Sequence, residues 1–266
     1  MRCDLYDPTS VLEHPSGFEV LVGFLIFLGT IISVIPQFIR LIKRKSSRGL
    51  SGFSFFLGHL NQFNVCLNGI ILHLTHFKAC QIAGFSKCAG SFLGILNYVG
   101  LFICFLPLTP MILYYFDGED MKDYYRTRYL FVSFSTYAIS ISFTVFALVL
   151  LFDRCFSLVI AIANFAGYTT VFINIWQWFP QILETFRIKS SGSFSTVMTC
   201  IQAPGAVISL VYFIIIGEDF TTWISYFTSA VQQVTLLYLL IYYDIKNSRK
   251  VKTAEPLLLN SEVEAI

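Results

Sequence analysis

Residues Val34 to Ser51 read VIPQFIRLIKRKSSRGLS, and residues Trp178 to Ser195 read WFPQILETFRIKSSGSFS. Each stretch has a Pro-Gln pair near the end of an apolar run, then basic residues, then Lys-Ser-Ser and a turn that contains Gly. One offset that holds over a helix end, a turn and a helix start indicates an internal duplication. The shared residues stand 144 positions apart without a gap, and they are Pro36 and Pro180, Gln37 and Gln181, Lys45 and Lys189, Ser46 and Ser190, Ser47 and Ser191, and Ser51 and Ser195.

The composition indicates that this duplication lies in a membrane protein. The chain has 266 residues, of which 56% are hydrophobic and 13% are charged, whereas about 25% of the residues of a soluble domain are charged. A helix needs about 20 residues to cross a bilayer. Seven apolar runs are long enough, and polar and apolar residues do not alternate in them as they do in barrel strands. The sequence therefore predicts an all-α membrane protein with seven transmembrane helices, at roughly Glu19 to Ile42, Phe53 to Leu74, Cys88 to Tyr115, Arg128 to Phe152, Phe156 to Phe186, Phe194 to Gly217 and Phe220 to Tyr243.

Lysine and arginine are distributed unequally between the two ends of these helices. Basic residues concentrate on the cytosolic side of membrane proteins. We therefore expect both Lys-Ser-Ser turns and the C-terminus to face the cytosol, and the N-terminus to be lumenal or extracellular. The residues after helices one, three, five and seven make up 14 of the 18 basic residues, and they are Arg40, Lys43, Arg44, Lys45, Arg48, Lys122, Arg126, Arg128, Arg187, Lys189, Lys246, Arg249, Lys250 and Lys252.

Seven helices with an outer N-terminus and two Pro-Gln pairs, at the cytosolic ends of helices one and five, resemble the PQ-loop transporters. That family includes cystinosin and the lysosomal cationic amino acid exporters, with the SWEET sugar transporters and the KDEL receptors as more distant relatives. The resemblance implies a 3+1+3 architecture, in which a linker helix joins two parallel three-helix bundles. The implied parts are a lumenal segment 1–18, a first bundle 19–115, a cytosolic loop and linker helix 116–155, a second bundle 156–243 and a cytosolic tail 244–266.

The Pro-Gln pairs are candidate hinges. Proline lacks an N–H and clashes with the carbonyl four residues back, here the carbonyls of Ile32 and Trp176. Glutamine carries donors and an acceptor that can satisfy the freed backbone or a partner helix. We therefore predict hinges at Pro36 with Gln37 and at Pro180 with Gln181. The alternative is an ordinary structural kink at each proline.

Amide side chains inside the membrane are the candidate substrate contacts, because each is costly there unless it meets a partner or lines a cavity. Asn174, Gln177 and Gln181 lie on one helix face, and the residues 144 positions earlier are also polar. For each amide the alternative is an interhelical hydrogen bond of roughly 1 kcal/mol that only holds two helices together. The predicted substrate-binding residues are Asn61, Asn64, Asn68, Asn97, Asn174, Gln177 and Gln202.

Charged side chains are absent from the predicted helices between their interfacial ends. This absence favours neutral or zwitterionic solutes over strongly charged ones. A proton-driven carrier also needs a group that changes charge, and His59 in helix two is the candidate, although it can equally be a packing residue. The resemblance implies an aspartate in helix six for this task. The aligned residue here is Gln202, which cannot titrate.

Signals for other chemistry are few. We expect no enzyme activity, cofactor or metal, because the common hydrolase, metalloprotease, P-loop and dinucleotide motifs are missing from the sequence. Four cysteines, Cys3, Cys80, Cys88 and Cys155, fall on the predicted lumenal side, where disulfides can form. Cys80 with Cys88 is the expected pair.

The tail after Tyr243 is basic and then acidic and apolar, and we expect it to be disordered. Its segment Glu255 to Leu259 resembles a dileucine signal that cytosolic adaptors recognise during sorting to lysosomes. These features predict a transporter of a small polar solute in an endolysosomal or vacuolar membrane. An amino acid is the favoured solute, and no nucleic-acid partner is expected. The alternatives are a non-transporting receptor or scaffold of the same fold and a SWEET-like sugar facilitator.

Overall fold

A computed structural model of the chain describes residues 17–74, 85–117, 121–152, 157–215 and 220–263. Helices make up nearly all of this described part, and no strand occurs in it. The helices, in chain order, are α1 (Gly17–Arg44), α2 (Gly52–Leu72), α3 (Phe85–Phe105), α4 (Leu108–Tyr114), α5 (Met121–Phe152), α6 (Ser157–Trp176), α7 (Phe179–Ile188), α8 (Thr196–Ile215) and α9 (Phe220–Val263).

These helices form the predicted fold of seven membrane-crossing runs, in which α3 continues into α4 and α6 continues into α7. Four segments are by themselves long and apolar enough to cross a membrane, within the residues described: Phe24–Arg44, Ile95–Tyr114, Met121–Leu151 and Ser157–Ile188. The chain is a multi-pass integral membrane protein. The predicted all-α fold class is confirmed.

Two of the predicted membrane-crossing helices are interrupted. The third membrane-crossing run, made of α3 and α4, is broken at Leu106 and Pro107, where proline supplies no N–H. Run five turns at Gln177 and Trp178, and Pro180 then stands in the first turn of α7, where its missing N–H has no helical partner to lose. Pro36 differs, because it lies inside the continuous helix α1.

The helices pack as two bundles of three runs with α5 as the linker. In the first bundle α3 contacts both α1 and α2, and in the second bundle α9 contacts α6, α7 and α8. The bundles meet along two seams, one between α2 and α6 and the other between α1 and α8. Because α1 and α6 run in the same direction, the duplication relates the two seams to each other.

Two apolar cores hold this arrangement together. The first core lies at the end of the molecule that carries the two Lys-Ser-Ser turns, here called the loop end, and it includes Leu41 of α1, Phe194, Met198 of α8 and Leu236 of α9. It therefore joins both bundles. The second core packs α2 against α5 and α6, through residues such as Phe63 and Phe134. Apolar side chains of α5 and α6 thus pack against α2 along much of its length.

The expected disorder of the tail is wrong. Helix α9 continues from the bundle through residue Val263. Half of the twenty residues from Asp244 to Val263 are good helix formers such as Lys, Arg, Glu and Leu. These residues also extend an existing helix, so that the unfavourable step of helix nucleation is avoided.

The linker helix α5 is fixed to the first bundle at the start of α2. A Cβ atom at Gly52 would lie 2.0 Å from Oγ1 and 2.9 Å from Cβ of Thr127. The Arg126 guanidinium lies 5.6 Å from the centre of the Phe53 ring, within cation–π range. Only glycine at position 52 allows the two helices to approach this closely.

Gly52→Ala is expected to lower the free energy of unfolding by about 1–3 kcal/mol, the usual cost of overpacking, because the added methyl group meets Thr127. Gly29→Ala is the matched control, since a Cβ at Gly29 meets nothing within 4 Å and Ala is the better helix former. Thermal unfolding of the purified protein in detergent measures both. Equal unfolding midpoints for the two variants would contradict the close packing of α2 and α5.

Candidate functional site

The two duplicated turns have the same local conformation. Lys45 and Lys189 follow α1 and α7 with left-handed φ angles of 50° and 52°. Their N–H groups donate to Leu41 O at 2.9 Å and to Thr185 O at 3.0 Å, which closes each helix. Equivalent positions therefore carry equivalent backbone strain, and the duplication extends from sequence to backbone.

Each turn ends in a serine that caps the next helix. The Ser51 hydroxyl accepts from the N–H of Ser54 at 3.3 Å, and the Ser195 hydroxyl accepts from the N–H of Met198 at 3.2 Å. A serine at this position satisfies one of the free N–H groups of a helix start. The turns are thus held at both ends, and their central backbone groups point to the opposite bundle.

The two glutamines of the Pro-Gln pairs bind the turn of the opposite bundle in a reciprocal way. Gln37 donates to Ser193 O at 3.1 Å and accepts from the Ser195 N–H at 2.7 Å. Gln181 donates to Gly49 O at 2.8 Å and accepts from the Ser51 N–H at 2.9 Å. Both glutamine side chains are 0% exposed. We call these four hydrogen bonds the glutamine clamp.

The two turns also contact each other directly. The Ser193 N–H donates to Arg48 O at 2.9 Å, and the Ser193 hydroxyl donates to Ser46 O. A Cβ atom at Gly192 would lie 2.6 Å from Arg48 O, so a side chain there would separate the turns. Arg40 of α1 donates to the Ser191 hydroxyl at 2.6 Å and to Gly192 O at 2.9 Å. The bundles are therefore closed against each other at the loop end.

Gln37→Leu and Gln181→Leu are each expected to lower the free energy of unfolding by a similar amount, because each leaves a buried N–H and a buried C=O of the opposite turn unpaired. An unpaired buried group costs about 1–3 kcal/mol. The control is Gln62→Leu, since Gln62 makes no hydrogen bond to a described residue. Thermal unfolding tests the set. A clamp variant that unfolds like Gln62→Leu would refute the pairing.

Beyond the clamp, the seam between α2 and α6 is filled by amides. Asn61 donates to Asn174 Oδ1 at 2.9 Å and to Gln177 Oε1 at 3.1 Å. Asn64 donates to the Thr169 hydroxyl at 3.0 Å, and Asn68 donates to Ala163 O at 2.8 Å. Three of the predicted α2 residues therefore meet α6.

The linker helix contributes to this polar seam as well. The Tyr137 hydroxyl of α5 donates to Asn64 Oδ1 at 3.0 Å, so both ends of the Asn64 amide are paired. A cavity of about 400 Å³ opens beside this pair, between α2, α5 and α6, and its other walls include Phe165 and Phe172. Nothing in the sequence singles out Tyr137 or Thr169, because aromatic and hydroxyl residues are common along these helices.

The seam between α1 and α8 has a shorter polar contact. Gln202 donates to the Ser33 hydroxyl at 3.1 Å, and Ser33 donates to Thr30 O at 2.7 Å. The duplication aligns Ser33 with Gln177 and Gly58 with Gln202. Each seam thus places one glutamine opposite one small residue, since a Cβ at Gly58 would lie 3.5 Å from Gln177 Nε2.

The break between α6 and α7 is bound by Gln232 of α9. Its carbonyl oxygen accepts from the Trp178 N–H at 3.1 Å. Its NH₂ group donates to Asn174 O at 3.1 Å and to Ile175 O at 2.7 Å. These backbone groups lose their helical partners where the helix turns. The freed backbone at the second Pro-Gln pair is therefore satisfied by Gln232, while Gln181 binds the opposite bundle.

Gln232→Leu is expected to destabilise the protein by about 1–3 kcal/mol, because it leaves part-buried backbone groups at the break unpaired. The neighbouring Gln233→Leu is the matched control, since Gln233 donates only to Ser229 Oγ and its buried Oε1 atom has no partner among the described residues. Thermal unfolding and hydrogen exchange of the Trp178 amide measure the difference. Equal Trp178 exchange in both variants would exclude this role of Gln232.

The other predicted site residues lie apart from the seams. The Nε2 atom of His59 lies 2.7 Å from Thr109 Oγ1, and its ring packs on Phe131 and Phe134 of α5. Asn97 of α3 has a buried Oδ1 atom with no partner among the described residues. Cys66, Cys104 and Cys200 are free thiols. The side chains of the predicted lumenal cysteines, Cys3, Cys80, Cys88 and Cys155, lie outside those described.

The two duplicated stretches also match a known repeat. The PQ loop repeat family matches residues 18–61 and 162–222, which include both Pro-Gln pairs and both turns of the glutamine clamp. The two matched segments are the two copies of the duplication. The resemblance stated from the sequence is confirmed.

Two further comparisons cover most of the chain. The chain is 28% identical over 248 residues to "Uncharacterized protein C4C5.03" of Schizosaccharomyces pombe, an alignment that covers 86% of this chain and 82% of the relative. A solved structure of a eukaryotic SWEET transporter is 16% identical and has a TM-score of 0.50, covering 86% of this chain and 99% of the other. The 3+1+3 arrangement is thus shared with a solved structure.

Proposed function

We propose that this PQ-loop protein transports a small polar solute by alternating access of its two bundles, and that the solute is an amino acid. The observation that carries the proposal is the glutamine clamp. It closes the bundles at one end by symmetric contacts between two copies of one unit. A structure that is closed at one end by a few reversible bonds has the form that alternating access requires.

The strength of the clamp is appropriate for a switch. An ordinary intramolecular hydrogen bond contributes a net 0.5–1.5 kcal/mol, so that four of them give about 2–6 kcal/mol. Two states that differ by a few kcal/mol can be interconverted by a bound ligand with different affinities for them. Opening the loop end breaks the clamp and exposes the turns to water, which replaces the lost partners.

The two prolines are proposed as hinges at the level of the clamp. Pro180 already stands next to a broken helix, whereas Pro36 lies in a continuous one. Each precedes the glutamine that holds the opposite turn. Bending at the proline therefore moves that glutamine, and the hinge and the clamp act together.

The chemistry of the seams supports a neutral or zwitterionic solute. Helices α2, α6 and α8 contain no Asp, Glu, Lys or Arg. Apart from His59, which bonds to Thr109 away from the seams, their side-chain hydrogen-bonding groups are mainly amides and hydroxyls. Such groups donate and accept hydrogen bonds and can therefore pair with both ends of an amino acid zwitterion. A sugar is the second candidate, because a polyhydroxyl solute suits the same neutral groups and the shared fold includes a SWEET transporter.

We further propose an endolysosomal or vacuolar membrane, with the loop end and α9 extension in the cytosol, on the distribution of basic residues described above. The segment from Glu255 to Leu259, on the α9 extension, is the proposed contact for sorting adaptors. A non-transporting receptor or scaffold is the competing function. Measured flux across a membrane distinguishes a transporter from such a receptor.

Reconstitution in liposomes tests the proposal, with neutral and cationic amino acids, cystine and sugars as solutes and with or without a pH gradient. We expect saturable uptake of an amino acid. Binding of a solute without uptake would favour the receptor instead.

The Pro36→Ala and Pro180→Ala double variant is expected to slow this uptake at least about tenfold while leaving binding intact. Ala at position 36 restores a helical hydrogen bond inside α1, and Ala at position 180 removes the ring that restricts the chain at the break before α7. Pro110→Ala, a proline outside both repeats, is the control. Unchanged uptake by the double variant would contradict the hinge assignment.

The His59→Ala variant tests proton coupling in the same assay. Loss of the pH-gradient effect on uptake in this variant alone would identify His59 as the group that carries the proton.

A further inference from the structure

The duplication allows the two seams to be compared position by position. Asn61 and Asn64 of α2 correspond to Gly205 and Ile208 of α8, and Thr169 and Thr170 of α6 correspond to Leu25 and Ile26 of α1. Corresponding residues are not equally buried. Part of the difference at Asn64 comes from the linker helix α5, which has no counterpart in the duplication and whose Tyr137 binds Asn64. The difference between Asn61, whose hydrogen-bond partners lie on the opposite bundle, and Gly205 does not depend on α5.

The α2–α6 seam is closed along its length. Asn61 is 5% exposed, Asn64 is 3% exposed and Thr170 is 9% exposed. Hydrogen bonds cross this seam at Ser54, Asn61, Asn64 and Asn68, which cover about four turns of α2. The second apolar core packs against the same helices.

The α1–α8 seam is open over the corresponding length. Ile208 is 67% exposed and Ile26 is 37% exposed. A Cβ atom at Gly205 or at Gly29 would meet no heavy atom of the described residues within 4 Å. Within the described residues the seam is closed towards the loop end, where Gln202 reaches Ser33 and Met198 is 1% exposed.

We infer that the solute pathway runs along the α1–α8 seam, above a floor formed by Gln202 and Ser33. The α2–α6 seam stays closed from Asn61 to Asn68 throughout the cycle as the spine of the movement, while the clamp at the loop end opens. This inference rests on the proposed transport function. It divides the predicted amides into two roles. Gln202 contacts the solute, whereas Asn61, Asn64 and Asn68 hold the spine.

The physical reason is the unequal cost of opening the two seams. Separation of α2 from α6 leaves several amides unpaired inside the membrane, where no water replaces their partners. Among the described residues, separation of α1 from α8 breaks one side-chain hydrogen bond, between Gln202 and Ser33. Both are groups that a bound solute can pair with. The free face at Gly29 and Gly205 leaves room for a small solute beside them.

Paired cysteines at corresponding positions test the inference directly. The pair Asn64→Cys and Thr169→Cys places a cross-link across the α2–α6 seam. The pair Leu25→Cys and Ile208→Cys places a cross-link at the corresponding positions of the α1–α8 seam. Both pairs are treated with bifunctional thiol reagents of increasing length, and uptake into liposomes is measured before and after treatment. We expect the cross-link at 25 and 208 to reduce uptake at least about tenfold and the cross-link at 64 and 169 to leave it unchanged. The opposite pattern, or loss of uptake with both cross-links, would overturn the inference.

Labelling of single cysteines gives a second readout that does not depend on uptake or on the Asn64 and Thr169 substitutions. A membrane-impermeant thiol reagent is added to both sides, and peptide mapping by mass spectrometry separates the introduced cysteine from the native ones. Gly205→Cys is expected to react at least about tenfold faster than its counterpart Asn61→Cys, because only a water-filled seam admits the reagent. An unreactive Gly205→Cys would mean that lipid fills the seam, and would overturn the inference.

The labelling result also separates the two proposals. If the wild-type protein takes up no solute, the transport function fails, whereas faster labelling at Gly205→Cys still establishes an aqueous pathway in the α1–α8 seam. If uptake is found but labelling is equal at positions 61 and 205, transport stands and the division into spine and pathway fails.

Discussion

The arrangement of the molecule depends on two glutamine side chains that are fully buried at the loop end. A buried amide is costly unless its carbonyl and its NH₂ group are both paired. Gln37 and Gln181 each meet this requirement with one C=O and one N–H of the opposite turn. Neither bundle could keep its own glutamine buried and paired in this way without the other. The position of one bundle on the other therefore follows from the hydrogen-bond requirement of two residues.

The turns are suited to this exchange because their backbone is unusual at the same places. The left-handed residues Lys45 and Lys189 turn the chain out of a helix, and Ser51 and Ser195 start the next helix. Between them the backbone forms no secondary structure, so its polar groups are available to a side chain from outside. Gly192 then brings the two turns within hydrogen-bonding distance, since it has no side chain to hold them apart.

Duplication supplies two equivalent bundles, but the present sequence uses them differently. One seam is filled by asparagines, and the corresponding helix of the other seam has Gly205 and Ile208 in their place. Two copies that diverge in this way can divide the tasks of one interface, with one side for cohesion and the other for movement. A similar division holds at the prolines, because Gln232 stabilises a broken helix at the second repeat while α1 stays continuous at the first.

The sequence by itself determined the membrane class, the seven runs, the duplication and the helix faces on which the amides stand, because hydrophobic length and residue spacing are local properties. It also predicted that Asn61 and Asn174 belong to polar stripes. Only the tertiary structure decided which amides pair, since Asn64 finds Thr169 and Tyr137 on helices distant in sequence. The break at Gln177 and Trp178 and the role of Gln232 were decided there as well. A hydrogen bond between distant helices depends on how the bundles pack, and no local pattern contains that geometry.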